Sequence, residues 1–70
     1  MAVRNTLRDI RLERNLTQED LAKAAGSCSR TISRIERGER NPSLEMALRL
    51  SQFLNVDVEE IFQLEDDLFI

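Results

Sequence analysis

Seventy residues with 10 basic and 13 acidic side chains, one cysteine and no histidine make room for a single small domain. A chain this short buries only about 60% of its unfolded surface. It has no second cysteine for a disulfide, no Cys/His set for a zinc site, and no run approaching the roughly 18 apolar residues of a membrane helix. The expectation is one domain over residues 1–70, with its core over 5–62 and a tail over 63–70. A lone thiol suits a reducing compartment, and the start, MAVRNTLRD, lacks the apolar stretch of a signal peptide, so the expected location is cytoplasmic.

The net charge of −3 is unevenly spread. Residues 1–49 hold all 10 basic side chains and 7 acids, giving +3, whereas residues 50–70 hold 6 acids and no base, giving −6. Screening confines exposed charges to neighbours within about 8–10 Å, so the field at a binding face follows the local balance rather than the total. The basic part can therefore face a polyanion while the acidic segment lies elsewhere or simply solvates the domain.

Helical punctuation recurs along the chain. Asn5 or Thr6 can cap a first helix running to about Arg14, with Leu7, Ile10 and Leu12 as its apolar side and Asn15 as a left-handed stop. Thr17 followed by Asp20 resembles a capping box; the helix it opens would bury Leu21, Ala22 and Ala25 and stop at Gly26. A third helix follows Cys28, turns Ile32 and Ile35 inward and ends at Gly38. Pro42 closes a polar loop, and Ser43 caps a fourth helix whose Leu44, Ala47, Leu48, Ser51 and Leu54, with Leu50 beside them, repeat at helical spacing. Asn55 can stop it. Asp57 opens a short fifth helix, with Glu60 at the capping-box position and Val58, Ile61 and Phe62 completing the core. The apolar residues of the tail leave two options open. Phe62–Glu65 can pair as a short strand with Ala2–Arg4, or the tail can meet another subunit.

Enzymatic chemistry has little to build on. General acid–base work favours histidine or a carboxylate pair in a cleft, and the acids here sit at helix starts or in the tail. The two glycines, Gly26 and Gly38, stand at helix ends, so no phosphate-cradling glycine loop exists. The more specific signal is the spacing of Ala22, Gly26 and Ile32: a small residue where two helices approach, a glycine for positive φ, and an aliphatic anchor. That is the pattern of a tight helix-turn-helix, whose second helix enters a DNA major groove.

The stretches LRDIRLERNLTQEDLA, TISRIERGERNPSLEMALRLSQFL and NVDVEEIF resemble the Cro/repressor (Xre) helix-turn-helix family over about residues 5–62. The resemblance implies an all-α, five-helix, lambda-repressor-like domain with helices 2 and 3 as the reading unit, in some relatives with a short terminal two-stranded β pairing. It implies a sequence-specific transcriptional regulator, expected to repress as a homodimer on a palindromic operator. Partners would be double-stranded DNA and a second copy of the chain, with no membrane, cofactor, metal or small-molecule ligand. Carried over by position, Thr17 and Gln18 would meet the phosphate backbone. Ser29, Arg30 and Arg34 would face the groove with Thr31 and Ser33 at its edges, and Arg37, Arg40 and Asn41 would follow at phosphate. Arg11 and Glu36 match a partly buried ion pair of the family. Expected dimer contacts are Ile61, Leu64, Leu68, Phe69 and Ile70. A protein-binding module such as an antitoxin or adaptor is the competing reading, with the acidic C-terminal segment meeting a basic partner.

Two positions depart from the family pattern, Ser27 and Cys28. A thiol is a weak acceptor and a poor cap, so Ser27 or Ser29 can cap the third helix instead and shift its start by one residue. A small packed thiol is the bland reading of Cys28; a redox-sensitive thiol at a helix start is the sharper one.

Overall fold

The computed structural model describes residues 2–65. In chain order these form β1 (Ala2–Asn5), α1 (Leu7–Glu13), α2 (Gln18–Ala25), α3 (Ser29–Glu36), α4 (Leu44–Leu54), α5 (Val58–Ile61) and β2 (Phe62–Glu65). All five expected helices are present among the described residues. Of the two options for the tail, the strand is realised: β1 and β2 pair antiparallel with Val3 opposite Leu64 and Asn5 opposite Phe62. The fold is thus five helices closed by a small terminal sheet.

Local chemistry sets the boundaries. Asn15, Gly26 and Asn55 adopt left-handed φ values of 56°, 69° and 58°, which side chains with Cβ branches or bulk resist. Thr6 stands at the N-cap of α1 without a side-chain cap bond; the Asn5 Oδ1 beside it accepts from the Leu7 N–H at 3.1 Å, while the Thr6 hydroxyl donates to the Glu60 carbonyl at 2.9 Å. Ser43 accepts from the Met46 N–H at 3.1 Å and caps α4. The capping box expected at Asp57 and Glu60 does not form, because α5 is a single turn closed by the Asp57 carbonyl instead of its side chain.

Leu7, Leu21, Ile32, Ile35, Leu50, Leu54 and Ile61 are fully buried, with Ala22, Ala25, Ala47 and Phe62 filling between them. The alanines allow α2 to lie close to both α3 and α4. Each fully buried aliphatic stabilises the fold by about 1.5–3 kcal/mol relative to exposure.

Two expected apolar stripes are narrower than the sequence suggested. Leu12 is 50% exposed, since α1 docks through Leu7 and the half-buried Ile10 and Arg11. On α4 the buried side runs through Ala47, Leu50 and Leu54, and Leu44 and Leu48 are 76% and 49% exposed. α4 packs against α2 and α5, and the two leucines remain on its outer flank. Ser51 is held by donating to the Val56 carbonyl at 2.6 Å.

Candidate nucleic-acid interface

The α2–turn–α3 unit is fixed at each junction. The Thr17 hydroxyl accepts from the Asp20 N–H at 3.0 Å, and the Asp20 carboxylate accepts from the Thr17 N–H at 2.9 Å. This reciprocal box holds Asp20 below the ordinary aspartate range: the Thr17 backbone bond is the main cause, its hydroxyl the next, and Lys23 adds to them. At the far end of α2, Ser27 N–H reaches back to the Ala22 carbonyl at 2.8 Å and Gly26 N–H to the Lys23 carbonyl at 3.3 Å, the two-bond closure of a helix ending in a left-handed glycine.

α3 starts at Ser29, with Cys28 in the extended N-cap position, so neither serine shifts the helix. No side chain caps it; the Cys28 carbonyl accepts from the Thr31 and Ile32 N–H groups. The thiol of Cys28 is exposed, with Sγ 3.4 Å from the Thr31 hydroxyl. Hydrogen bonding from that hydroxyl, then from the Thr31 backbone, lowers its pKa, with Arg30 contributing less.

With Ile32 and Ile35 buried, the helical period turns the opposite side of α3 outward. Ser29, Arg30, Arg34 and Arg37 are exposed, and Thr31 and Ser33 flank them half-buried. Arg40 and Asn41 lie exposed in the loop after the helix. The C-terminus of α3 closes through Gly38, with φ 77°, as Gly38 N–H bonds to the Ile35 carbonyl and Glu39 N–H to the Arg34 carbonyl, both at 2.9 Å. This fixes the Glu39 backbone and places its carboxylate 3.0 Å from Arg37 and 3.9 Å from Arg34. Arg30 and Arg40 have no ion-pair partner among the described residues.

Beneath this surface, Glu36 is a hub. Its carboxylate is 2% exposed and accepts from Arg11 Nε at 2.7 Å and Nη2 at 3.2 Å, and from Gln18 Nε2 at 3.1 Å. Arg11 also donates to the Leu16 carbonyl at 3.1 Å. Glu36 therefore joins α1, the start of α2 and the end of α3, and leaves Glu39 alone to offset the arginines of the loop. Gln18 is tied inward by one amide hydrogen, a link the sequence did not suggest. A second unforeseen link is Asn5 Nδ2, which donates to the Ile35 carbonyl at 2.9 Å and so joins β1 to the last turn of α3. No pattern in the sequence marks either link, because each joins residues far apart in the chain through a single side chain.

Among the expected dimer contacts, Ile61 is fully buried in its own chain and has no surface to offer, because α5 turns it into the core beside Leu54 and Phe62. Leu64 is 64% exposed. Leu68, Phe69 and Ile70 lie outside the described residues. Among the described residues, no cluster of three His, Cys, Asp or Glu side chains is placed to hold a metal ion, and no helix is long and apolar enough to cross a membrane.

A capped helix, a glycine turn and a second helix with an arginine-bearing outer face define a helix-turn-helix DNA-binding domain. The chain belongs to the Xre-type helix-turn-helix family, whose model, described as Helix-turn-helix, matches residues 7–61. It is 46% identical over 65 residues to an uncharacterised HTH-type transcriptional regulator of Methanocaldococcus jannaschii, a match covering 93% of this chain and 98% of the relative. It is 36% identical over 55 residues to the cryptic phage CTXphi transcriptional repressor RstR of Vibrio cholerae, covering 79% of this chain and 50% of that one. Among solved structures it is similar to the restriction-modification controller protein C.AhdI of Aeromonas hydrophila, with TM-score 0.71 and 37% identity over 77% of this chain and 82% of that one. It is also similar to a candidate DNA-binding protein from Bacteroides fragilis, with TM-score 0.78 and 30% identity over 87% of this chain and 98% of that one. The chain is a helix-turn-helix transcriptional regulator and not an enzyme.

Proposed function

We propose that this regulator represses transcription in the cytoplasm by binding a palindromic operator as a homodimer, with α3 of each protomer in a major groove. The observation that carries the reading is the outer face of α3, where Arg30 and Arg34 stand over a helix anchored on its other side by Ile32, Ile35 and the Glu36 hub. Arg30 has no competing carboxylate among the described residues, and a bidentate contact to guanine discriminates by about 1–3 kcal/mol. Arg34 shares Glu39 with Arg37, so its approach to a base means leaving a loose 3.9 Å ion pair. Ser29 reads at short range, and Thr31 and Ser33 border the groove. Arg37, Arg40, Asn41 and Thr17 meet phosphate, as does Gln18 through the amide hydrogen that it does not give to Glu36. A domain this small makes few base contacts, and two copies on a symmetric site supply the missing affinity and specificity, with half-sites about 34 Å apart. The relatives that regulate transcription, the phage repressor among them, favour the same reading.

The test is selection of bound duplexes from a random pool with the wild type, Arg30→Ala and Arg40→Ala, followed by affinity against salt. The expected result is a palindrome from the wild type and relaxed preference at one position of each half-site for Arg30→Ala. Arg40→Ala should keep the preferred site while the salt slope falls by about 1 per subunit. Recovery of no preferred sequence from the wild type would refute the proposal.

A further inference from the structure

α4 carries a surface feature that the reading helix does not explain. Leu44 and Leu48, 76% and 49% exposed, stand one turn apart on its outer flank. Beside them Glu45 and Arg49 also stand one turn apart, joined by a 2.8 Å ion pair, with side chains 74% and 53% exposed. Together with Gln52 these residues line a shallow groove of about 540 Å³. Exposed leucines cost little singly, but two in register with an acid and a base form a patterned surface. Repeating both pairs at i, i+4 gives the face a particular symmetry.

We infer that this face of α4 is the surface through which two copies of the chain pair, with the helices antiparallel about a two-fold axis level with Met46 and Ala47. This rests on the homodimeric reading above and assigns its interface. A two-fold axis brings the same patch of both subunits together and demands self-complementarity. Antiparallel pairing at that level puts Leu44 against the partner's Leu48 and Glu45 against the partner's Arg49. Each contact then occurs twice. The ion pair within α4 becomes a row of four charges beside four leucines, each acid facing a base of the other copy. Glu45 alone on the face, or two like charges, would repel its copy; an acid and a base one turn apart attract it. Leu64, also exposed, stands on β2 beside Gln63 and opposite Val3 of β1, a single apolar side chain rather than a repeated pair.

The experiment is sedimentation equilibrium of the full chain and of Glu45→Arg, Arg49→Glu, Leu48→Glu and Leu64→Glu, with far-UV circular dichroism confirming that each folds. Each charge reversal alone places like charges together twice and should weaken dimerisation about tenfold. An equimolar mixture of Glu45→Arg and Arg49→Glu should form heterodimers with the wild-type constant to within about threefold, because every acid again meets a base. Leu48→Glu should give monomers and Leu64→Glu dimers. A mixture no better than its components, or dimers lost in Leu64→Glu and kept in Leu48→Glu, would overturn the assignment of the interface while leaving the dimer. A wild type that is monomeric both free and on its selected operator would overturn the homodimeric reading as well.

Discussion

Replacing Arg11 by methionine should destabilise the domain more than any surface substitution. The Glu36 side chain is 2% exposed and accepts three hydrogen bonds from two side chains, two of them from Arg11. Methionine fills the volume of the Arg11 stem but leaves a buried carboxylate with Gln18 as its remaining donor. Removing one partner of a buried ion pair costs about 3–5 kcal/mol, and the 11% exposure of Arg11 favours the lower figure. A 70-residue domain has a total stability of about 4–10 kcal/mol, so the loss is a large share of the whole. At about 4–8 °C per kcal/mol it corresponds to a fall in Tm of about 12–24 °C. Urea denaturation followed by circular dichroism gives the number directly. The double variant Arg11→Met/Glu36→Leu removes the stranded charge, and more than half of the loss should return, since apolar replacement of a buried pair is close to neutral. A cost below about 1 kcal/mol for Arg11→Met, or no recovery in the double variant, would refute the view that the pair is desolvated and anchors α3.

Three further outcomes follow from the same geometry. Leu12→Gln should change stability by less than about 0.5 kcal/mol because the side chain is half in solvent, whereas Ile32→Ala at a fully buried site should cost about 2–5 kcal/mol; paired urea titrations compare them. Asp20 has a folded pKa below its unfolded one, so its stabilising effect is complete above the ordinary aspartate pKa of about 3.9 and fades as pH falls through the lower folded value. The stability gap between wild type and Asp20→Asn should therefore be widest near neutrality and shrink below about pH 4, read from urea midpoints across pH. The Thr31 hydroxyl is the main cause of the lowered Cys28 pKa, so Thr31→Val should slow alkylation of Cys28 by iodoacetamide near pH 8 and move the rate profile to higher pH; an unchanged profile would contradict that hydrogen bond.

The elements that were legible in the sequence are those written locally. Thr17 with Asp20, Asn15, Gly26, Gly38 and Asn55 each state a boundary through a cap or a left-handed φ that few residues tolerate, and every one stands where its chemistry puts it. The faces of the helices were less legible. A leucine at helical spacing satisfies the period whether it lies at the centre of the stripe or at its edge. The packing of α4 against α2 and α5 decides that Leu50 and Leu54 go inward and Leu44 and Leu48 outward. The same limit applies to charge. Along the chain Glu36, Arg37, Glu39 and Arg40 are two acids and two bases with no sign of which pair. In three dimensions Glu36 turns into the core toward Arg11, Glu39 serves Arg34 and Arg37 together, and Arg40 stands apart.

The reading helix is held by contacts that its own sequence does not contain. α3 has eight residues and no side-chain cap, too short to be stable alone in water. Its inner side is set by Ile32 and Ile35, its last turn by Asn5 through the Ile35 carbonyl, and its end by Glu36 through Arg11 and Gln18. Asn5 belongs to the strand that pairs with β2, and Arg11 to the first helix. The tilt of α3 is therefore fixed from both ends of the chain. A substitution such as Asn5→Ala removes no atom from the outer face, yet it frees the Ile35 carbonyl and the start of α1 together. In such a variant, affinity for the operator should fall while the preferred sequence stays the same, because the arginines that read it are intact and only the population of their productive orientation has changed.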